Sequence, residues 1–158
     1  MGLSLFENSR EINTNSAVMM VEDVLIALGH FVNDCRVDDP HAMKAWRIAK
    51  GSAQIAIQIL ERPDHPHLRV ISAVMRLASS AEAALRADLH ADLLARNAEL
   101  CGLAFAARGD QVLLVAERST LDLDRSEVLD LITRVADHAD AVDNALVGSY
   151  GGTLGGTP

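Results

Sequence analysis

The stretch "LCGLAFAARGDQVLLVAERSTLDLDRSEVLDL", residues 100–131, decides the fold. Two apolar runs flank Gly109 and Asp110, a pair suited to a two-residue hairpin loop because both residues tolerate the left-handed backbone of a primed turn. With that loop Arg108 faces Gln111, Ala107 faces Val112, Ala106 faces Leu113 and Phe105 faces Leu114. Side chains alternate across a strand, so Leu103, Phe105, Ala107, Val112 and Leu114 share one face, and Ala104, Ala106, Leu113 and Val115 share the other. A hairpin with one wet face should alternate apolar with polar. This one is apolar on both. A helix of the chain can cover one face, and the second requires another helix, a second subunit or a client polypeptide.

The same stretch then starts a helix. Asp124 stands three residues before Glu127, the spacing of a capping box in which each side chain accepts from the other's backbone N–H. Val128, Leu131, Ile132, Val135, Ala139, Val142 and Leu146 recur at three and four residues and predict a buried stripe to about Val147, with Asp130, Asp137, Asp140 and Asp143 on other faces. Working towards the N-terminus, Ala81–Leu100 is rich in helix formers, with Leu85, Leu89 and Leu93 on one side. The run "LRVISAVMRL" predicts a strand. Before it, Trp46, Ile48, Ile55, Ile57 and Ile59 alternate with Arg47, Ala49, Gln54, Ala56 and Gln58, which predicts a hairpin turning near Gly51. Val18, Val21, Val24, Leu25 and Leu28 predict a first helix over Ser16–Leu28, ended by Gly29. The fold class is therefore α+β, an antiparallel sheet with flanking helices in the order α-β-β-β-α-β-β-α. The division expected is a flexible arm over 1–15, a single domain over 16–148 and a Gly-rich flexible tail over 149–158.

Composition excludes several functions. The chain has 14 Lys/Arg against 22 Asp/Glu and a net charge of −8. Residues 81–158 carry 6 Lys/Arg against 13 Asp/Glu, so the acidity lies in the second half. Bulk attraction to nucleic acid or an anionic membrane is disfavoured. No apolar run approaches the roughly 18 residues of a membrane span, and the first residues lack the pattern of a signal peptide, so a cytoplasmic location is expected. Cys35 and Cys101 form no Cys-x-x-Cys pair and are too few for a disulfide framework.

From Leu93 to Gly152 the chain resembles the YbjN family, whose members are similar in fold to the class I chaperones of type III secretion. The likeness is carried by "LLARNAEL" at 93–100, the strand and Gly-Asp turn, "VLLVAE" at 112–117, and a long helix closing on Tyr150-Gly151-Gly152. The resemblance covers the last seventy or so residues well. It implies a dimeric α+β domain that binds proteins or peptides, and no catalytic residues.

The motifs that could carry chemistry fit simpler roles. His65 and His67 in "DHPH" supply two imidazoles but no third ligand at a metal spacing, and a solvated turn is the expectation. Asp88, His90 and Asp92 in "DLHAD" read as helix surface, and Asp137, His138 and Asp140 as the wet face of the last helix. No nucleophile elbow or phosphate loop occurs, so neither enzyme activity, metal nor cofactor is expected. Arg36, Lys44, Arg47 and Lys50 form a weak basic patch by sequence, but the chain's one Trp, Trp46, is expected to point to the opposite sheet face from Arg47 and so is not placed for base stacking. The function expected is a non-enzymatic protein-binding module, chaperone-like, adaptor or regulatory, acting as a homodimer on a client protein or peptide. Its contacts are assigned to Leu89, Leu93, Ala104, Ala106, Leu113 and Val115. The alternative is an accessory factor in a nucleic-acid process, DNA repair or transcription regulation, acting through a protein partner or the basic patch.

Overall fold

The computed structural model describes residues 5–158, with side chains from Ser9 onward. In chain order the elements are α1 (Leu5–Ala27), α2 (Val32–Cys35), β1 (Arg36–Val37), β2 (Lys44–Lys50), β3 (Ala53–Leu60), β4 (His67–Arg76), α3 (Ala83–Asn97), β5 (Ala104–Arg108), β6 (Gln111–Ser119), α4 (Arg125–Tyr150) and β7 (Thr153–Leu154). The sheet runs β1-β2-β3-β4-β6-β5, antiparallel throughout, with β7 added to β4. The predicted α+β class and the order of the main elements are those of the structure. The one-turn helix α2 and the two-residue strands β1 and β7 are too short to leave a periodic signal.

The β5–β6 hairpin takes the predicted register: Phe105 pairs with Leu114, Ala106 with Leu113, Ala107 with Val112 and Arg108 with Gln111. Gly109 turns it with φ +60, where an L side chain is strained. The β2–β3 hairpin turns at Gly51 and Ser52, and Trp46 pairs with Ile57 and Ile48 with Ile55 on its buried side.

All three long helices pack on one side of the sheet. Ala17, Val21, Val24 and Leu25 of α1, Leu89 and Leu93 of α3, and Val128, Ile132, Val135, Ala139 and Leu146 of α4 join Trp46, Ile55, Ile57, Val70, Phe105 and Leu114 in one core. Aliphatic burial at roughly 1.5–3 kcal/mol per large side chain is what holds the layers together. The capping box of α4 forms as predicted: Asp124 accepts from the Glu127 N–H at 2.9 Å, and Glu127 accepts from the Asp124 N–H at 3.0 Å. Hydrogen bonds from Ser126 and from the Glu127 backbone hold the Asp124 carboxyl below its usual range.

Three expectations are corrected. The arm expected over 1–15 is helical from Leu5 onward, because α1 starts three turns before its apolar stripe does; residues 1–4 of that arm lie outside the described residues. The tail expected to be free over 149–158 is the end of α4 followed by a paired strand. Asp143, expected off the buried stripe of the helix, is itself buried, and Ser52 at the β2–β3 turn donates to its carboxylate at 2.7 Å. The neighbouring Asp140 accepts from the Ser52 backbone N–H at 3.0 Å, so α4 grips the hairpin loop at two points.

Candidate functional site

With the helices on one side, the other face of the sheet carries no helix among the described residues. Its apolar centre is a separate cluster made of strand residues alone: Ala56, Ile71, Ala73 and Leu113, with Val115 against them. Strand pairing lays these in rows. Arg47 pairs with Ala56, Ala56 with Ile71, Ile71 with Val115 and Val115 with Ala104. A second row runs from Ala73 through Leu113 to Ala106. The cluster residues are buried, and exposure begins at the β5 end, where the small side chains of Ala104 and Ala106 face solvent. This is the second apolar face of the hairpin; no helix among the described residues lies on it because α1 joins α4 on the opposite side, yet its central residues are only 3–7% exposed, and the bare apolar surface is at Ala104 and Ala106.

One end of this face is polar and fixed. Ala45, Gln58, Arg69 and Glu117 form the next row. Glu117 accepts from Arg62 at 2.9 and 3.0 Å and from Arg69 at 2.6 Å, and its Oε1 lies 3.1 Å from His67 Nδ1. Burial alone would raise the Glu117 carboxyl, but the hydrogen bonds and charges of Arg62 and Arg69 outweigh it and hold it low. At the far edge Gln58 donates to Asp39 at 2.6 Å, tying the loop after β1 to the face. Behind that loop, on the helix side, a cleft of about 600 Å³ opens between α1 and the sheet edge, lined by Val18, Glu22, Arg36, Met43, Lys44 and Trp46 among others. Glu22 holds Arg36 there at 2.7 Å and accepts a long bond from the Trp46 indole at 3.4 Å.

The predicted contact residues divide. Ala104, Ala106, Leu113 and Val115 do share the open face. Leu89 and Leu93 do not: they are 1% and 5% exposed and sit in the core under β5, since α3 turns its leucine stripe towards the sheet. The basic patch also separates. Arg47 alone projects from the open face, while Arg36, Lys44 and Lys50 belong to the helix side, where Arg36 pairs with Glu22 and Lys50 with Asp137. Strand alternation splits the four residues across two faces.

Most of the remaining candidates have structural partners. His65 and His67 are half-buried rather than solvated; His67 Nδ1 lies against Glu117, while His65 Nδ1 and His67 Nε2 are buried without a hydrogen-bond partner among the described residues. Asp92 accepts from Arg96 at 3.1 Å and from Tyr150 Oη at 3.0 Å, joining α3 to the end of α4; the Arg96 bond, then the tyrosine, lower its pKa. His138 packs its ring on Phe105 at 6.0 Å between centroids. Burial, then Asp34, push the Cys35 thiol up, and Cys101 is exposed. Among the described residues no group of three His, Cys, Asp or Glu could hold a metal, and no helix is long and apolar enough to cross a membrane. The open face and the Glu117 row were not legible as one surface from sequence; the alternation in β3 and β4 was the available signal.

The sequence over residues 16–155 matches the family TY-Chap1, described as T3SS (YopN, CesT) and YbjN peptide-binding chaperone 1. The chain belongs to this family of peptide-binding chaperones. The resemblance to YbjN noted in the second half thus extends over most of the TY-Chap1 domain. No curated protein gives a significant match. Among solved structures, the TY-Chap1 fold seen here is similar to a chain in "Crystal Structure of the ExsC-ExsE Complex", with a TM-score of 0.59 and 14% identity, covering 84% of this chain and 95% of that one. At that identity the likeness is one of fold. Chains of the ExoT-SpcS complex from Pseudomonas aeruginosa (TM-score 0.48, 13% identity, 77% and 92% covered) and of the Yersinia pestis type III secretion chaperone SycH in complex with a stable fragment of YscM2 (0.48, 14%, 78% and 96%) also match.

Proposed function

We propose that this chain is a non-enzymatic chaperone or adaptor that holds a segment of a client protein against the open face of its sheet and acts as a homodimer. The observation that carries the reading is the strand-only apolar cluster of Ala56, Ile71, Ala73 and Leu113, flanked by exposed Ala104 and Ala106. The cluster itself is buried, so the surface left for another polypeptide to remove from water is the exposed apolar margin at Ala49, Ala104 and Ala106. Membership of a peptide-binding family supports a peptide as that polypeptide. The likeness to a chain crystallised in the ExsC-ExsE complex supports it in the same direction.

The face divides between two occupants. β5 is an edge strand, so two copies of the β5–β6 hairpin can meet about a twofold axis, each using the same alanine-rich patch. The β3–β4 half, with Arg47 and Ala49 at its margin, takes the client. A cytoplasmic place of action suits this reading, because clients must be met before they fold or leave.

Affinity capture from the native cell, with the wild-type chain and with Ala106→Asp and Ala49→Asp as baits, tests it. Both alanines are exposed, so a charge there leaves the fold intact while opposing apolar contact. Light scattering of the wild type should give about twice 16.9 kDa, Ala106→Asp should give a monomer, and Ala49→Asp should lose the client. A client held equally by all three baits would refute the open face as the contact surface.

A further inference from the structure

After α4 the chain returns to the sheet. Gly151 and Gly152, with φ +71 and +86, reverse its direction. Met75 then pairs with Val112 on one edge of β4 and with Leu154 on the other, and Arg76 likewise with Gln111 and Thr153. β3 pairs with β4 only as far as Ser72. The two residues of β7 therefore fill the length of β4 edge that β3 leaves open.

Beyond β7 the chain crosses β4 on the open face. A Cβ on Gly155 would lie 2.8 Å from Ala73 Cβ, a member of the open-face cluster, and would overlap the Ala73 carbonyl. The Thr157 carbonyl then lies 3.5 Å from Nε2 of Gln111, on the far side of β4. Gly152 is set by contact as well, since a Cβ there would overlap the Arg76 carbonyl and lie 3.2 Å from Leu77 Cα. The hold is slight: two residues of strand, one long side-chain contact and a Leu154 that remains exposed. A segment with so few buried apolar contacts opens at low free energy.

We propose that residues 153–158 are a built-in competitor for the client: the tail fills the β4 slot in the resting chain and yields it to an extended, uncharged client segment with a glycine where its backbone passes Ala73. This rests on the reading that the open face takes clients, and adds where the client enters and what controls entry. The chemistry is that of the tail itself. Antiparallel pairing gives affinity through backbone hydrogen bonds, and contact with Ala73 selects a residue without a side chain. Tethering holds the tail at an effective concentration on the order of millimolar, so weakly pairing segments are refused.

The test uses the full-length chain and a fluorescent decapeptide of residues 149–158, SYGGTLGGTP, followed by anisotropy. In Gly155→Val the chain's own tail cannot seat, while the slot is unchanged. The decapeptide should bind this variant at least tenfold more tightly than it binds the wild type, and a decapeptide carrying the same substitution should bind neither. Where circular dichroism shows Gly155→Val unfolded, Gly152→Val releases the strap from its other end and takes its place. Equal binding to wild type and a folded variant, or no binding to a folded variant at millimolar peptide, overturns the proposal. Because the probe is the chain's own segment, the result is independent of any client. Failure here with a client still captured through Ala49 removes the strap alone; peptide binding without client capture removes the client reading alone.

Discussion

Replacing Gly51 by alanine should destabilise the chain through α4, more than 80 residues away in sequence. Gly51 has φ +54, and a Cβ there would lie 2.5 Å from Asp140 Cγ, inside the carboxylate. Two costs follow. The left-handed backbone costs an L residue about 1–2 kcal/mol. The Asp140 carboxylate must also swing away and give up the Ser52 N–H it accepts at 3.0 Å, a loss of about 1 kcal/mol for a partly exposed hydrogen bond. The sum is roughly 2–3 kcal/mol, which for a chain of this size lowers Tm by about 4–12 °C. Asp140→Ala alone should cost only the hydrogen bond, about 1 kcal/mol. In the Gly51→Ala background that bond is already broken, so Asp140→Ala should then cost nothing further. Urea unfolding of the four chains at one protein concentration, with equal m values, measures this cycle. Distant, independent sites add to within about 0.3–0.5 kcal/mol. If the double variant is less stable than Gly51→Ala by the full cost of Asp140→Ala, the two residues do not touch and the account of the α4–hairpin joint is wrong.

Leu89→Ala should cost about 2–5 kcal/mol in urea unfolding, as a core cavity does, while leaving the light-scattering mass of the folded protein unchanged; a mass change without loss of stability would return Leu89 to an interface. Glu117→Gln should destabilise by about 1 kcal/mol near pH 7. Because the folded Glu117 carboxyl is lowered, its contribution is present above the unfolded value of about 4.3 and is lost as pH falls through the folded value, so the difference in Tm between wild type and variant should be full near pH 7 and shrink progressively as pH falls below about 4.3. Convergence at high pH instead would reverse the sign. Client binding measured by calorimetry should weaken less than about threefold between 0.1 and 1 M salt, because apolar burial is not screened, whereas any DNA binding should vanish over that range.

Sequence alone determined whatever depends on near neighbours. The register of the β5–β6 hairpin was written in Gly109-Asp110, since a two-residue loop leaves only one pairing. The N-terminus of α4 was written in Asp124 and Glu127, whose side chains reach only their own first turn. The two faces of β2 and β3 followed from alternation. Which face was covered did not follow, because an apolar stripe on a helix states that it must be buried and not against what. Leu89 and Leu93 are as apolar as any interface residue, and only the packing of α3 under β5 put them in the core. Asp143 was polar by composition, yet it is buried and accepts from Ser52 in a turn 91 residues away. The tail was glycine-rich and therefore free by composition, yet those glycines are what let it lie against Arg76 and Ala73. Contacts between residues close in sequence are fixed by local sterics and hydrogen bonding. The open face, the strap across it and the division of the basic residues are long-range facts, decided by where three helices come to rest on one side of the sheet.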